Sequence, residues 1–258
     1  MSGRLRDLVV VVTGAGRGQG AAECRVLAAE GATVIGVDRE IAVDDPGDGI
    51  TRRILDVTDA AGWESLAEAI GERHGRVDGL VNNAGITSRV RLGAVELDEW
   101  NRVLAVNVTA PMQGIQALLP LMGVGASIVN VGSVAGLTGH YTAAYTTSKW
   151  ALRGLTQCAA TELGPRGIRT NIVHPGYVET PMTDAAPAAF RDINIDLTPL
   201  GRTGTPEDLA AVVAFLLAPE SGFLNGAEIA ADGGFTGGAG AKAISDALRR
   251  AAEAEGRP

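Results

Sequence analysis

One stretch near the N-terminus limits the possible folds more than any other part of the chain. Residues 8–12 are five consecutive apolar residues, a run typical of a parallel strand covered on both faces. Residues 13–20 follow with four glycines, and residues 21–30 predict a helix that ends at Gly31. A glycine-rich turn between strand and helix lets backbone N–H groups and the positive helix end approach a pyrophosphate. We therefore predict an α/β fold with a phosphate site after its first strand.

A second apolar run, residues 32–37, ends on Asp38. A carboxylate about twenty residues beyond such a glycine turn is placed to accept hydrogen bonds from the adenosine ribose and to repel a 2′-phosphate. Arg17 and Arg39 could instead pair with such a phosphate. Because the Asp38 carboxylate would repel a 2′-phosphate, we predict NAD rather than NADP as the cofactor.

The rest of the chain alternates strand and helix patterns. Further strands are predicted at residues 52–57, 79–81, 128–131, 168–172 and 228–231, and helices at residues 59–74, 98–119, 143–163 and 207–217. Seven strands alternating with helices predict a doubly wound α/β domain, a parallel sheet with helices on both faces. Residues 39–49 predict a loop in place of a crossover helix. Residues 184–204 predict an irregular segment, and long segments of this kind are often functional lids.

Tyr145 and Lys149 stand four residues apart in the predicted helix 143–163, so they share one helix face. A phenol ionises near pH 10, and a neighbouring cation lowers that pKa toward neutrality, as general acid–base catalysis requires. Ser133 follows the strand 128–131 and could hydrogen-bond the same substrate oxygen. A tyrosine four residues before a lysine is common and usually only solvated, so the pair gains meaning from the other motifs.

Three further polar residues lie in apolar surroundings. Asn82 opens a run of small residues, 82–85, that allows close approach of a flat ligand, although packing explains Asn82 equally well. Asn107 is predicted to be buried, where it needs hydrogen-bond partners for its amide and would bridge backbone groups or hold a water. His174, after the sixth strand, is predicted to be a core or supporting residue rather than a catalytic one.

Composition excludes several classes of function. The net charge of -8 offers no basis for electrostatic binding of nucleic acid, and no run approaches the roughly eighteen apolar residues that span a bilayer. The apolar run after Arg4 and Arg6 is too short for a signal peptide. Cys24 and Cys158 lie in helical patterns, which predicts buried free thiols rather than a disulfide. We expect a cytoplasmic protein without nucleic-acid or membrane partners.

These motifs, in this order, resemble the short-chain dehydrogenase/reductase family over about residues 5–235. The motifs that carry the resemblance are residues 13–20, Asp56 and Val57, residues 82–85, Asn107, Ser133, residues 145–149, and Pro175 with Gly176. The resemblance implies a single-domain Rossmann fold and reversible hydride transfer between a secondary alcohol or ketone and nicotinamide, with no metal. The domain would cover residues 1–236, with a substrate loop at about 183–204, and a glycine link at 237–240 would lead to a helical tail ending at residue 258.

The resemblance also assigns roles to individual residues. Tyr145 would be the acid–base group, and Ser133 would bind and polarise the substrate oxygen. Lys149 would lower the pKa of Tyr145 and hold the nicotinamide ribose, and Asn107 would support a water-linked proton relay to Lys149. The implied contacts to NAD are Gly14, Arg17, Gln19, Gly20, Asp38, Asp56, Val57, Asn83, Ala84, Gly85, Tyr145, Lys149, Pro175, Gly176, Val178 and Thr180.

Within the family, residues 148–155, 162–169 and 174–183 are most similar to bacterial hydroxysteroid dehydrogenases acting at 3α or 20β positions. This similarity predicts a bulky cyclic or steroid-like substrate and a homotetramer built through the helices at 98–119 and 143–163. A 3-oxoacyl-[acyl-carrier-protein] reductase is the alternative within the family, although it usually uses NADPH. A non-catalytic NAD(H)-binding sensor is the alternative of another class, and loss of Ser133, Tyr145 or Lys149 would favour it.

Overall fold

A computed structural model describes residues 3–40, 47–184 and 186–255. Within these ranges the strands are β1 (Val9–Thr13), β2 (Thr33–Asp38), β3 (Ile50–Ile54), β4 (Gly79–Asn82), β5 (Ser127–Val131), β6 (Arg169–Pro175) and β7 (Glu228–Ala231). The helices are α1 (Gly18–Ala29), α2 (Ala60–His74), α3 (Leu97–Leu104), α4 (Ala110–Leu118), α5 (Ala143–Leu163), α6 (Pro181–Asp184), α7 (Ala188–Leu197), α8 (Pro206–Leu217) and α9 (Phe235–Ala254).

The strands form one parallel sheet in the order β3-β2-β1-β4-β5-β6-β7. The chain moves outward from β1 through β2 to β3, then returns to the other side of β1 with β4. This reversal opens a crevice beyond the carboxyl ends of β1 and β4, where open α/β sheets bind their ligands. The predicted doubly wound, seven-stranded parallel sheet is confirmed.

Alternate side chains of β1 enter two separate apolar layers. Val10 and Val12 are fully buried in the layer that includes Leu27 of α1 and Val213 of α8. The intervening residues, Val9 and Val11, belong to the layer built with α2, α4 and α5. Each fully buried side chain of this size contributes about 1.5–3 kcal/mol, so an unbroken apolar strand is stabilised from both faces.

Capping residues fix the ends of two helices, α2 and α8, whose bounds were predicted from the sequence. Asp59 caps α2 by accepting a hydrogen bond from the N–H of Ala61 at 3.1 Å, and Gly75 ends that helix in the left-handed conformation with φ 72°. Thr205 and Asp208 form a reciprocal capping box at the start of α8. The predictions for both helices are confirmed.

Two predicted boundaries were wrong. The third strand ends at Ile54, so Asp56 and Val57 lie in the connection after it rather than within the strand. The predicted helix at residues 98–119 is divided by a π-helical turn over Ala105–Thr109. The predicted loop at residues 39–49 lies partly outside the described residues, at 41–46.

The C-terminal region also differs from the prediction. Residues 184–204 contain the helix α7, and the glycines at 237–240 lie inside α9 rather than in a link. The helices α7 and α9 pack against each other, and Lys242 on α9 donates a hydrogen bond to the Asp196 carbonyl of α7 at 2.6 Å. Such contacts between distant segments favour helix in both regions. The division into a domain and a tail stays a prediction.

The two cysteines have different surroundings. Cys24 is buried as predicted, whereas Cys158 on α5 is exposed, so the prediction of two buried thiols was wrong for Cys158. Periodicity placed both on helices but could not show which side of α5 faces solvent. None of the described helices is both long and apolar enough to cross a bilayer. Across the same residues, no group of three or more His, Cys, Asp or Glu side chains could hold a metal ion.

Candidate active site

A cleft of about 750 Å³ lies along the carboxyl edge of the sheet. Its walls come from residues at or just after the ends of β1 to β6, from α5, and from α3 with the turn that follows it. Every residue that the family resemblance assigned to NAD lines this cleft, and so does Ser133. Asn107, the remaining predicted site residue, is buried and is not one of the cleft-lining residues.

The glycine turn after β1 is too tightly packed for side chains at two positions. Gly14 has φ 67°, and a Cβ atom there would lie 2.9 Å from the Cα of Ala84. A Cβ atom on Gly20 would lie 2.2 Å from the Gly14 carbonyl oxygen. The Asn83 side chain donates hydrogen bonds to the carbonyls of Thr13 at 2.8 Å and Gly14 at 3.3 Å. The turn is therefore a preformed backbone surface.

Helix α1 begins at this turn. Its N-cap residue, Arg17, makes no side-chain hydrogen bond to the first turn of the helix, and Gly18, Gln19 and Gly20 line the cleft. Free N–H groups and the positive end of a helix bind phosphate oxygens. The turn and the helix start together match the needs of a dinucleotide pyrophosphate.

Asp38 lies at the end of β2 with a fixed carboxylate. Its Oδ2 accepts a hydrogen bond from the Gly16 N–H at 2.9 Å, and its Oδ1 accepts one from the Glu40 N–H at 3.3 Å. A Cβ atom on Gly16 would lie 2.9 Å from Oδ2, so glycine is needed for this contact. The carboxylate is oriented before any ligand binds, as ribose recognition requires.

The cleft is also lined by a second acidic group, Asp56, and by three arginines. The backbone N–H of Thr58 at 2.9 Å and its hydroxyl at 2.7 Å hold Asp56 and lower the pKa of that carboxyl, with a smaller contribution from Arg39. Arg17, Arg39 and Arg102 also line the cleft. Sequence reasoning missed Arg102.

Some of the cleft-lining residues that we did not predict could have been recognised from the sequence. Arg102 and Val106 are four residues apart, so a helical face through them toward the cleft could have been proposed. Ile86 and Thr87 directly follow the predicted 82–85 motif and also line the cleft. Met182 lies in the short helix α6, for which the sequence offered no signal.

Ser133, Tyr145 and Lys149 meet at the middle of the cleft. Lys149 is buried at 4% exposure, donates a hydrogen bond to the Val131 carbonyl at 2.8 Å, and lies 5.8 Å from the Tyr145 ring centroid. Burial lowers the pKa of Lys149 to about 8. Ser133 accepts a hydrogen bond from the Ala135 N–H at 3.1 Å, and its side chain lies close enough to Tyr145 to influence the pKa of that phenol. The structure brings together the three side chains that the sequence predicted.

The direction predicted for the pKa of Tyr145 was wrong. Burial raises the pKa of this phenol, and the hydrogen bond with Ser133 opposes the rise. Removing a phenolate from water disfavours its charge, and the Lys149 ammonium is directed to the Val131 carbonyl. Tyr145 is therefore held as a neutral O–H donor near neutral pH.

Asn107 lies in the π-helical turn between α3 and α4. Its Oδ1 accepts a hydrogen bond from the Ile86 N–H, and its Nδ2 donates to the Ile86 carbonyl and to the Ser148 hydroxyl, each at 2.9 Å. The prediction that Asn107 is buried and bridges backbone groups is confirmed. The π-helical turn carries this asparagine, in keeping with the frequent location of such turns at functional sites.

Gly85 lies between Asn107 and Lys149. A Cβ atom on Gly85 would lie 3.4 Å from Asn107 Oδ1 and 3.5 Å from Lys149 Nζ. The two side chains are therefore neighbours, with Lys149 on the cleft wall and Asn107 behind it. The proton relay through Asn107 stays a prediction.

Asn82 belongs to a buried polar ladder. Its Nδ2 donates to Asn130 Oδ1 at 2.8 Å, and Asn130 Nδ2 donates to the Thr156 hydroxyl at 2.8 Å. The ladder joins β4, β5 and α5 beneath the cleft. The structure supports the packing alternative for Asn82.

Glu23 is a fully buried acid that the sequence analysis did not single out. Its Oε1 accepts a hydrogen bond from the Gln19 side chain at 3.0 Å, and among the described residues its Oε2 has no hydrogen-bond partner. Burial raises the pKa of this carboxyl to about 8. Glu23 is therefore neutral at neutral pH, one helical turn beyond Gln19, which lines the cleft.

Replacing Glu23 with glutamine should stabilise the fold at neutral pH. The unfolded glutamate loses its proton above about pH 4.5 while the native one keeps it to about pH 8, so the native state loses relative stability as pH rises between these values. The glutamine variant escapes this loss, and we expect a gain of about 3 kcal/mol at pH 7. Urea unfolding at pH 5 and pH 7 measures the difference.

Glu30→Gln on the same helix is the matched control. Arg4 lowers the pKa of Glu30, so this variant should lose stability at neutral pH, opposite in sign to Glu23→Gln. Equal stability of Glu23→Gln and the parent protein at pH 5 and pH 7 would contradict the prediction.

The fold and the cleft define the class of protein. Oxidoreductases with an α/β fold that use a nucleotide cofactor combine three features seen here. They have a doubly wound parallel sheet, a glycine-rich turn after the first strand, and a Ser–Tyr–Lys group at the same edge of the sheet. The family model described as enoyl-(acyl carrier protein) reductase matches residues 14–236. The chain belongs to the short-chain dehydrogenase/reductase family, as the sequence analysis predicted.

Named relatives and a solved structure match nearly the whole chain. The trans-4-hydroxycyclohexanecarboxylate dehydrogenase of Sinomonas cyclohexanicum is 39% identical, covering 92% of this chain and 96% of that protein. The 3-alpha-(or 20-beta)-hydroxysteroid dehydrogenase of Mycobacterium bovis is 40% identical, covering 92% and 93%. The ligand-free structure of Thermoplasma acidophilum aldohexose dehydrogenase has a TM-score of 0.83 at 31% identity, covering 92% and 96%.

Proposed function

We propose that this protein is an NAD(H)-dependent oxidoreductase that interconverts a secondary alcohol and a ketone on a bulky cyclic or steroid-like substrate. The observation that carries the proposal is the adjacent Ser133 and Tyr145 side chains on the wall of the cleft, with Lys149 beside them. Two of the relatives that match nearly the whole chain bear names of enzymes acting on hydroxyl groups of rings.

Tyr145 and Ser133 would share the substrate oxygen. In ketone reduction, the Tyr145 O–H donates its proton to the carbonyl oxygen, and in alcohol oxidation the same oxygen takes the proton back. The Ser133 hydroxyl donates a second hydrogen bond, which strengthens as the substrate oxygen gains negative charge. Lys149 adds a positive charge near the phenol, which favours the phenolate when the proton has left.

The residues of the cleft match NAD in two respects. The glycine turn and the start of α1 supply backbone N–H groups for the pyrophosphate, and the fixed carboxylate of Asp38 supplies acceptors for the ribose hydroxyls. When bound, the nicotinamide ring supplies the hydride acceptor or donor. The nicotinamide half would be held by residues that the family resemblance assigns to it and that line the cleft with Ser133 and Tyr145: Lys149, Pro175, Gly176, Val178 and Thr180.

Apolar side chains near the catalytic group support a cyclic substrate. Ile86, Val178 and Met182 line the cleft together with Ser133 and Tyr145. Apolar walls with few polar groups are typical of sites for ring compounds, since burial supplies affinity and the polar pair fixes orientation.

Two alternatives are tested by the same experiment. The description of the matching family model, an acyl-carrier-protein enzyme, keeps the 3-oxoacyl-[acyl-carrier-protein] reductase as the second candidate. The NAD(H)-binding sensor is disfavoured because Ser133, Tyr145 and Lys149 are all present and adjacent.

We also propose a homotetramer built through α3, α4 and α5. Trp150 on α5 is 45% exposed and carries the Arg153 guanidinium 4.5 Å above its ring. Gel filtration coupled to light scattering would give the mass, and a monomer would contradict the proposal. Cytoplasmic localisation stays a prediction.

The test of function follows NADH and NADPH absorbance at 340 nm with a panel of ketones. The panel contains cyclohexanone, 4-oxocyclohexanecarboxylate, 3-oxo and 20-oxo steroids, and an acetoacetyl thioester. We expect turnover with NADH on a ring ketone. Turnover of the thioester with NADPH would favour the acyl reductase, and NADH binding without turnover of any ketone would favour the sensor.

A further inference from the structure

The catalytic serine is backed by a histidine that the proposed mechanism does not use. His174, at the carboxyl end of β6, is fully buried. Its Nδ1 lies 2.9 Å from the Ser133 carbonyl oxygen and 3.4 Å from the Ser133 nitrogen. The shorter contact assigns the proton to Nδ1, which then donates to the carbonyl. The ring is held against the chain at Gly132, where a Cβ atom would lie 2.6 Å from Nδ1.

The other ring nitrogen of His174, Nε2, faces the ion pair between Glu228 and Arg153. His174 Nε2 is 3.9 Å from Glu228 Oε2 on the edge strand β7, and within the described chain it has no hydrogen-bond partner. Arg153 holds that carboxylate at 2.8 Å. Burial lowers the pKa of His174, so the ring is neutral at neutral pH and carries its single proton toward Ser133.

Arg153 also binds the far end of the short segment that begins at Ser133 and ends at Gly136. Its Nη1 donates a hydrogen bond to the Gly136 carbonyl at 2.9 Å, and the residues between Ser133 and Gly136 form a short helical turn. Arg153 lies on α5, as do Tyr145 and Lys149. The segment is therefore fixed at its start by His174 and at its end by the helix that carries the acid–base group.

We propose that His174 is a positioning residue for catalysis, which acts by holding the Ser133 backbone so that the serine hydroxyl stays beside the Tyr145 phenol. The inference rests on the proposed function, because it needs Ser133 to bind the reacting oxygen. His174 touches neither the cleft nor the substrate. Its effect passes through a single backbone carbonyl, and that contact can be removed or restored by substitution.

Three substitutions separate the hydrogen bond from the bulk of the ring. His174→Leu fills the buried space with an apolar side chain and removes the Nδ1–H donor to the Ser133 carbonyl. His174→Asn restores an N–H donor on the δ atom, whereas His174→Gln places its donor one bond further out. We expect kcat for the fastest ketone of the panel to fall about tenfold in the leucine and glutamine variants and to recover in the asparagine variant.

A double-mutant cycle with Ser133→Ala shows whether His174 acts through the serine. If it does, His174→Leu causes no further loss in the Ser133→Ala background. The Kd for NADH, measured by fluorescence, and the thermal midpoint of unfolding establish that each variant is folded. If the leucine variant does not fold, the comparison of asparagine with glutamine decides the question.

The outcomes separate this inference from the proposed function. An unchanged kcat in His174→Leu, an equal loss in the Ser133→Ala background, or a failure of asparagine to exceed glutamine would overturn the positioning role alone. Full turnover in Ser133→Ala would overturn the proposed function of the serine, and the inference with it.

Discussion

Replacing Tyr145 with phenylalanine should abolish most ketone reduction while leaving cofactor binding intact. The substitution removes the only hydroxyl of the ring and keeps its shape, so the proton donor to the substrate oxygen is lost. Proton transfer by a positioned side chain contributes about 10²–10⁴-fold, and we expect kcat to fall about 10³-fold. Steady-state assays at 340 nm and NADH fluorescence titration measure the two quantities separately.

Tyr141→Phe is the matched control. Tyr141 is 76% exposed and lies four residues before Tyr145, under the Arg91 guanidinium at 4.5 Å. The same chemical change there should leave kcat within about twofold of the parent protein, as is usual for exposed positions. Equal losses in the two variants, or retained turnover in Tyr145→Phe, would be inconsistent with Tyr145 as the acid–base group.

Replacing Asp38 with asparagine should change the cofactor preference. The asparagine oxygen can still accept the Gly16 hydrogen bond, but the negative charge that favours the ribose hydroxyls and repels a 2′-phosphate is gone. Hydrogen bonds to a charged group are worth about 1.5–3 kcal/mol. We expect the ratio of kcat/KM for NADH to that for NADPH to fall about a hundredfold, with Arg39 and Arg17 near enough to the cleft to bind the added phosphate.

Asp59→Asn carries the same chemical change at a position away from the cofactor. Asp59 caps α2, and asparagine caps helices about as well as aspartate, so the NADH to NADPH ratio should not move. A parent protein that already prefers NADPH, or an Asp38→Asn variant with an unchanged ratio, would rule out Asp38 as the selector.

Local patterns were sufficient for much of the fold and the site. The spacing of Tyr145 and Lys149 placed both on one helix face before any contact was known, and α5 has the predicted bounds. The start of α2 was predicted at Asp59, which caps the helix in the structure, because N-capping depends on a few adjacent residues. The parallel sheet followed from the alternation of strand and helix patterns along the chain.

Other features depended on residues far apart in the chain. The π-helical turn over Ala105–Thr109 accompanies the bonds that Asn107 makes to Ile86 and Ser148, and no local propensity encodes that bridge. Helix α7 was missed because its contacts with α9 come from more than forty residues further on, as in the bond from Lys242 to Asp196. The exposure of Cys158 likewise depends on which face of α5 is covered.

The sequence by itself determined the fold class, the glycine turn, Asp38 at the end of the second strand, and the identity of Ser133, Tyr145 and Lys149 as the catalytic candidates. The fold class, the turn and the position of Asp38 depend on hydrophobic periodicity and turn chemistry, which act within one or two elements, whereas the catalytic candidates depended also on the resemblance to a known family. Only the tertiary structure decided the pKa directions of Tyr145, Lys149 and Glu23, and the placing of His174 behind Ser133. The physical reason is that desolvation and hydrogen bonding in the interior come from every element that surrounds a group, and those elements are brought together only by folding.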